Sequence, residues 1–125
     1  MTNKQIANQL LEIYGRAWMT KDVDLISTIF TEDATYLDPA EPINIGKPAI
    51  KNYWQKKVFE NQTDIKFNLN HIWVDDDTVV AQWEASFKDL KRQLNISLSE
   101  VGIFELRAGL FASLKEFYVS SKSAY

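Results

Sequence analysis

Three polar side chains interrupt rows that are otherwise apolar: Tyr14, Asp38 and Glu100. Tyr14 lies within the stripe Ile6, Leu10, Ile13, Ala17 and Trp18, whose steps of three and four residues predict a helix. Asp38 closes a short run on the same side as Ala34 and Tyr36, just before Pro39. Glu100 interrupts the alternating row of Leu98, Gly102 and Phe104. An acid on a core-facing row is costly to ionise unless it is paired, wetted or placed for a task. Two such acids and a phenol predict a lined pocket rather than a dry core. Paired acids favour general acid–base work. Each residue also has a plainer reading. The opposite register turns Glu100 to water, Asp38 starts a turn before proline, and Tyr14 is a core tyrosine with a satisfied hydroxyl.

Glu116 shares a face with Ala112, Leu114 and Tyr118 when counted from Gly109. If that face is inward, a second strand acid enters the pocket, and paired acids favour hydration, dehydration or epoxide opening. The alternative is a solvated glutamate beside Lys115. His71 is the only histidine and shares an alternating row with Ile65, Phe67, Leu69 and Trp73. It is either a general base or a packed histidine with one bonded nitrogen. One histidine without a ligand cluster does not make a metal site. The triplet Asp75-Asp76-Asp77 lacks the glycine and terminal glutamate of a calcium loop and reads as a turn. No metal and no cofactor are expected.

Positioning these groups falls to a helical first half and a strand-rich second half, an α+β pattern. The first helix is expected over about 3–19. Thr20-Lys21-Asp22 breaks it, and Asp22 can cap a second helix burying Val23, Ile26, Ile29 and Phe30. A short strand, 34–38, leads into a loop forced by Pro39 and Pro42. Gly46 turns the chain, and Pro48 suits the first turn of a third helix with Ala49, Ile50, Tyr53, Trp54 and Val58 on its apolar side. From Asp64 the period becomes two, in long runs joined by short turns, which predicts an antiparallel sheet with distinct faces. The outward rows then carry Val101, Ile103, Phe111, Phe117 and Val119, a surface suited to an isologous homodimer.

With 125 residues the chain fits one domain, 1–125. Its net charge of −3 argues against a nucleic-acid partner, and the one tight basic run, Lys88, Lys91 and Arg92, falls where a hairpin tip is expected. The absence of cysteine excludes disulfides and thiolate chemistry. No run approaches a membrane span, and the N-terminus lacks the apolar core of a secretion signal, so a cytoplasmic location is expected. The sequons at Asn61 and Asn95 are then chance matches. Sixteen aromatics (four Trp, five Tyr and seven Phe) are many for a core of this size, so some are expected to line a cavity.

The stretch from Tyr14 to Pro39, ending Glu32-Asp33-Ala34-Thr35-Tyr36-Leu37-Asp38-Pro39, resembles the same stretch of ketosteroid isomerases without a gap. Ile45-Gly46-Lys47-Pro48-Ala49-Ile50 resembles that family's glycine turn and third helix, and Phe104 to Tyr118 its last two strands. Nearly the whole chain is also similar to SnoaL-like polyketide cyclases. The resemblance implies a nuclear transport factor 2-like, cystatin-like cone, a curved antiparallel sheet wrapped around three helices. It implies Asp38 as the proton shuttle, with Tyr14 and Glu100 forming the oxyanion hole. Glu100 is one methylene longer than the family's aspartate, and Phe30 and Trp54 stand where supporting tyrosines are expected. The expected substrate is a small apolar carbonyl or polycyclic molecule, lined by Trp18, Tyr36, Trp54, Phe67, His71, Trp83, Leu98, Glu116 and Tyr118. The expected activity is cofactor-free acid–base chemistry of an isomerase, cyclase or dehydratase type. The alternative is a non-catalytic ligand-binding or dimeric association module.

Overall fold

Helix α1 (Asn3–Thr20) starts where Thr2 and Gln5 satisfy each other's backbone. The Thr2 hydroxyl accepts from the Gln5 amide at 3.1 Å, and the Gln5 side chain accepts from the Thr2 amide at 2.8 Å. It ends at Lys21, whose left-handed φ of 57° closes the last turn. Asp22 then caps α2 (Val23–Ser27) by accepting from the Leu25 amide at 2.9 Å. Gly46, at a φ of 90° that other residues avoid, leads into α3 (Lys47–Trp54), with Pro48 in its first turn. The helix continues as a π-helical turn, Gln55–Phe59, closed by the Glu60 amide donating to the Gln55 carbonyl at 3.0 Å. That wider turn was not expected from the sequence.

The computed structural model describes all residues 1–125, and its sheet follows and wraps these helices. The strands are β1 (Phe30–Leu37), β2 (Asn44–Ile45), β3 (Gln62–Asp75), β4 (Thr78–Asp89), β5 (Leu94–Arg107) and β6 (Leu110–Ala124). Their order is β2-β1-β6-β5-β4-β3. All neighbours are antiparallel except β1 and β6, which run parallel, a pairing that the antiparallel expectation did not include. Phe30 opens β1 rather than closing the second helix. The fold is thus the expected α+β cone. No helix is long and apolar enough to cross a membrane.

The inner face is built in rows that run across the strands. At its closed end Val74, Val79, Phe104 and Leu114 are aligned. The next row is Ile72, Ala81, Gly102 and Glu116, and the next Leu69, Trp83, Glu100 and Tyr118. Gly102 has a spatial purpose there, since a Cβ would lie 2.6 Å from the Trp83 ring. Tyr14, Trp54, Trp83, Phe30, Phe104 and Phe111 are fully buried between helices and sheet. Each large apolar side chain so buried contributes roughly 1.5–3 kcal/mol, before the cost of ordering it.

Two bulges revise the expected faces. In β3 the register slips between Leu69 and His71, so Ile72 and Val74 take the inner face. His71 is thereby exposed, and its ring lies 5.4 Å from that of Trp73 on the outside. In β6 the register shifts opposite Glu105 and Leu106, which turns Phe111 inward onto Phe104, with ring centroids 4.3 Å apart. Phe111 is therefore core and not part of the outer surface.

Candidate active site

A cavity of about 900 Å³ lies between the inner sheet face, α1, α3 and the π-helical turn. Tyr14, Asp38 and Glu100 all line it. So do Trp18, Tyr36, Trp54, Leu98, Glu116 and Tyr118. Three expected pocket residues do not. His71 is outside because of the β3 bulge, Trp83 is wholly enclosed in the core, and Phe67 packs its ring against Tyr14 and Trp18 away from the acids.

Four donors fix Asp38 beyond the end of β1. Its carboxylate accepts from Tyr53 at 2.6 Å, Lys57 at 2.6 Å, Tyr118 at 3.0 Å and the Ala40 amide at 3.0 Å. Burial pushes this carboxyl up, but the bonds from Lys57, Tyr53 and Ala40 outweigh it and hold it below the usual range. Asp38 is thus held as an anion with all four donors on its carboxylate. Lys57 and Tyr53 were missed as its partners. Their signal was present, a lysine four residues after a tyrosine on one helical stripe.

Glu116 sits deeper, on β6. Both the Tyr14 and Tyr36 hydroxyls donate to its Oε1, the former at 2.9 Å. Tyr14 therefore serves a carboxylate rather than pointing into open space as an oxyanion donor. Tyr36, not Phe30 or Trp54, supplies the second hydroxyl. Burial pushes Glu116 up to about 7, with the Tyr36 and Tyr14 bonds opposing and the Asp38 charge adding to the rise. Burial likewise raises both phenols well above their ordinary value, followed by the charge of Glu116, so they remain donors.

Glu100 lies on the neighbouring strand and is paired across to Tyr118, while Glu116 is paired to Gly102. The two acids are thus diagonal neighbours on one face, about 7–8 Å apart at the backbone. Glu100 is almost wholly buried, and its Oε2 has no hydrogen-bond partner. Burial, then the charges of Glu116 and Asp38, push it up to about 10. The surroundings of both carboxyls thus push them above the usual range, Glu100 further than Glu116.

The family profile described as the SnoaL-like domain matches residues 11–114. The chain belongs to this SnoaL-like family. No curated protein sequence matches this SnoaL-like chain. Among solved structures, it is similar to a nuclear transport factor 2-like protein from Anabaena variabilis, at 20% identity and a TM-score of 0.84, covering 100% of this chain and 98% of that one. It is similar to the epoxide hydrolase/cyclase-like enzyme SalBIII of salinomycin pyran ring formation, at 22% identity and a TM-score of 0.80, covering 95% of each chain. It is also similar to a candidate polyketide cyclase from Xanthomonas campestris pv. campestris, at 21% identity and a TM-score of 0.76, covering 94% of this chain and 93% of that one. At these identities the likeness speaks to the fold. The SnoaL-like cavity itself has to argue its chemistry.

Proposed function

We propose that this SnoaL-like protein is a cofactor-free acid–base enzyme acting on a small, largely apolar molecule, with Glu116 as base and Glu100 as acid. The observation that carries the reading is the pair of buried carboxyls on adjacent strands of one cavity, one cradled by two phenols and the other with an unpartnered oxygen. On a carbonyl substrate, the Glu116 carboxylate takes a proton from the neighbouring carbon. The C–H pair becomes a C=C bond, and the carbonyl π pair moves to oxygen, which takes the Glu100 proton. Reversal at the same or a conjugated carbon restores both glutamates and completes an isomerisation, while attack of the enol carbon on a second carbonyl of the molecule closes a ring, the broken C=O π pair taking the Glu116 proton and the enol proton returning to Glu100. Tyr14 and Tyr36 hold Glu116 in place, and Lys57 with Asp38 keeps the second charge from migrating.

The test uses nitrobenzisoxazole, whose ring opens after one proton is taken from carbon. Turnover above buffer is expected, rising with pH about a midpoint near 7. Glu116→Gln is expected to lower it by about 100-fold or more, the usual worth of a placed base. Asp38→Asn is expected to do less, because its carboxylate is engaged by four donors. Full activity in Glu116→Gln defeats the assignment.

We also propose that the outer sheet face pairs two copies. Trp73, Phe117 and Val119 are exposed there, and Val80, Val101 and Ile103 lie between them on the same side. Such a patch favours burial against its own symmetry mate.

A further inference from the structure

We propose that the substrate of this cavity carries an anionic headgroup, a carboxylate or a phosphate, which rests at the mouth among Lys56, Lys91 and Lys122 while its apolar body reaches inward to the two glutamates. The proposal deepens the acid–base reading and rests on it.

The inner face changes character along its length. Glu100 and Tyr118 form one row, Leu98 and Ser120 the next, Ile96 and Lys122 the one after, and Leu94 and Ala124 end the sheet. Four residues separate Tyr118 from Lys122, a rise of about 13 Å along the strand. Lys56 reaches the same rim from the π-helical turn, and Lys91 from the β4–β5 turn. That turn is anchored to the opposite wall, since the Lys91 amide donates to the Asn61 side chain at 2.9 Å.

The other charges of the cavity are already matched. Lys57 pairs with Asp38 at 2.6 Å and with Glu41 at 3.7 Å, and Arg92 pairs with Asp89 at 2.8 Å. Lys56, Lys91 and Lys122 make no ion pair. Three unmatched cations therefore line this cavity in a chain whose net charge is −3. The inner end repels an anion, because Glu116 carries charge near neutrality and has no cation paired with it. This polarity fixes orientation: headgroup outward, reacting carbons inward.

Calorimetric titration of the full chain with decanoate, decyl phosphate and decanol tests this. At low salt at least one of the two anions is expected to bind roughly tenfold more tightly than decanol, a gain that three solvent-facing lysines can supply. The better anion identifies the headgroup. High salt is expected to shrink the gain, and the triple variant Lys56→Ala, Lys91→Ala, Lys122→Ala to erase it. All three side chains are exposed, so the variant should fold. Equal binding of decanol and both anions, or an advantage that survives the triple substitution, overturns the proposal. The two readings fail separately. If nitrobenzisoxazole is turned over while the three amphiphiles bind alike, only the headgroup inference falls. If the Glu116→Gln result goes against the base assignment while decanoate still outbinds decanol, only the acid–base reading falls.

Discussion

Glu100 shows what a single buried acid does to the whole energy balance. Its Oε2 lacks a close hydrogen-bond partner, and it is aligned across the strands with Trp83. A carboxyl raised to about 10 keeps its proton in the folded state over a range where the unfolded chain has lost it. The folded state then binds more protons, so stability falls as pH rises between about 4.5 and 10. Glu116 adds to this slope only up to about pH 7. Between about pH 7 and 9 the contribution is therefore mainly that of Glu100, at most about 1.4 kcal/mol per pH unit. Glu100→Gln is expected to flatten the pH dependence in that window, measured by urea unfolding at the two ends. An unchanged slope would mean that Glu100 is not held neutral. That an acid stood on an apolar row was legible in the sequence for both Asp38 and Glu100. Their different charge states were not, because Asp38 is held ionised by Tyr53 and Lys57, which arrive from other elements only after folding.

Elements were legible where periodicity and caps agreed. Helix α1 lies within a residue of its expected span because its apolar stripe ends at the Lys21–Asp22 break. Strand rows failed at bulges, since one inserted residue reverses every later side chain and leaves no periodic trace of its own. Hence His71 moved out and Phe111 moved in. Close approaches between elements were equally silent. Gly15 faces β3, where a Cβ would lie 2.4 Å from the Phe67 ring. Alanine in mid-helix ordinarily stabilises by roughly 0.5–1 kcal/mol over glycine. Here overpacking at this contact reverses the sign, and Gly15→Ala is expected to destabilise by about 1–3 kcal/mol. Thermal unfolding measures it, and adding Phe67→Leu should restore most of the loss. A stabilised Gly15→Ala protein refutes the packing argument.

At the scale of the molecule, the cone separates its two sides by function. The inner face gives its rows to the cavity, and the proposed pairing of two copies uses the outer one. There Phe117 is half exposed, opposite Val101, and Val119 lies almost free beside Ser99. The alternation that turns Glu116 and Tyr118 inward must turn Phe117 and Val119 outward. A row of this kind is stable in water when a symmetry-related copy covers it, and the twofold axis lets one patch serve both partners. Sedimentation at micromolar concentration is expected to give a dimer for the unsubstituted chain and a monomer for Phe117→Asp. Since Phe117 faces away from the cavity, nitrobenzisoxazole turnover per chain should survive that change. A monomer before substitution would leave the outer face without its proposed partner, while the acid–base chemistry of the inner face would stand untouched.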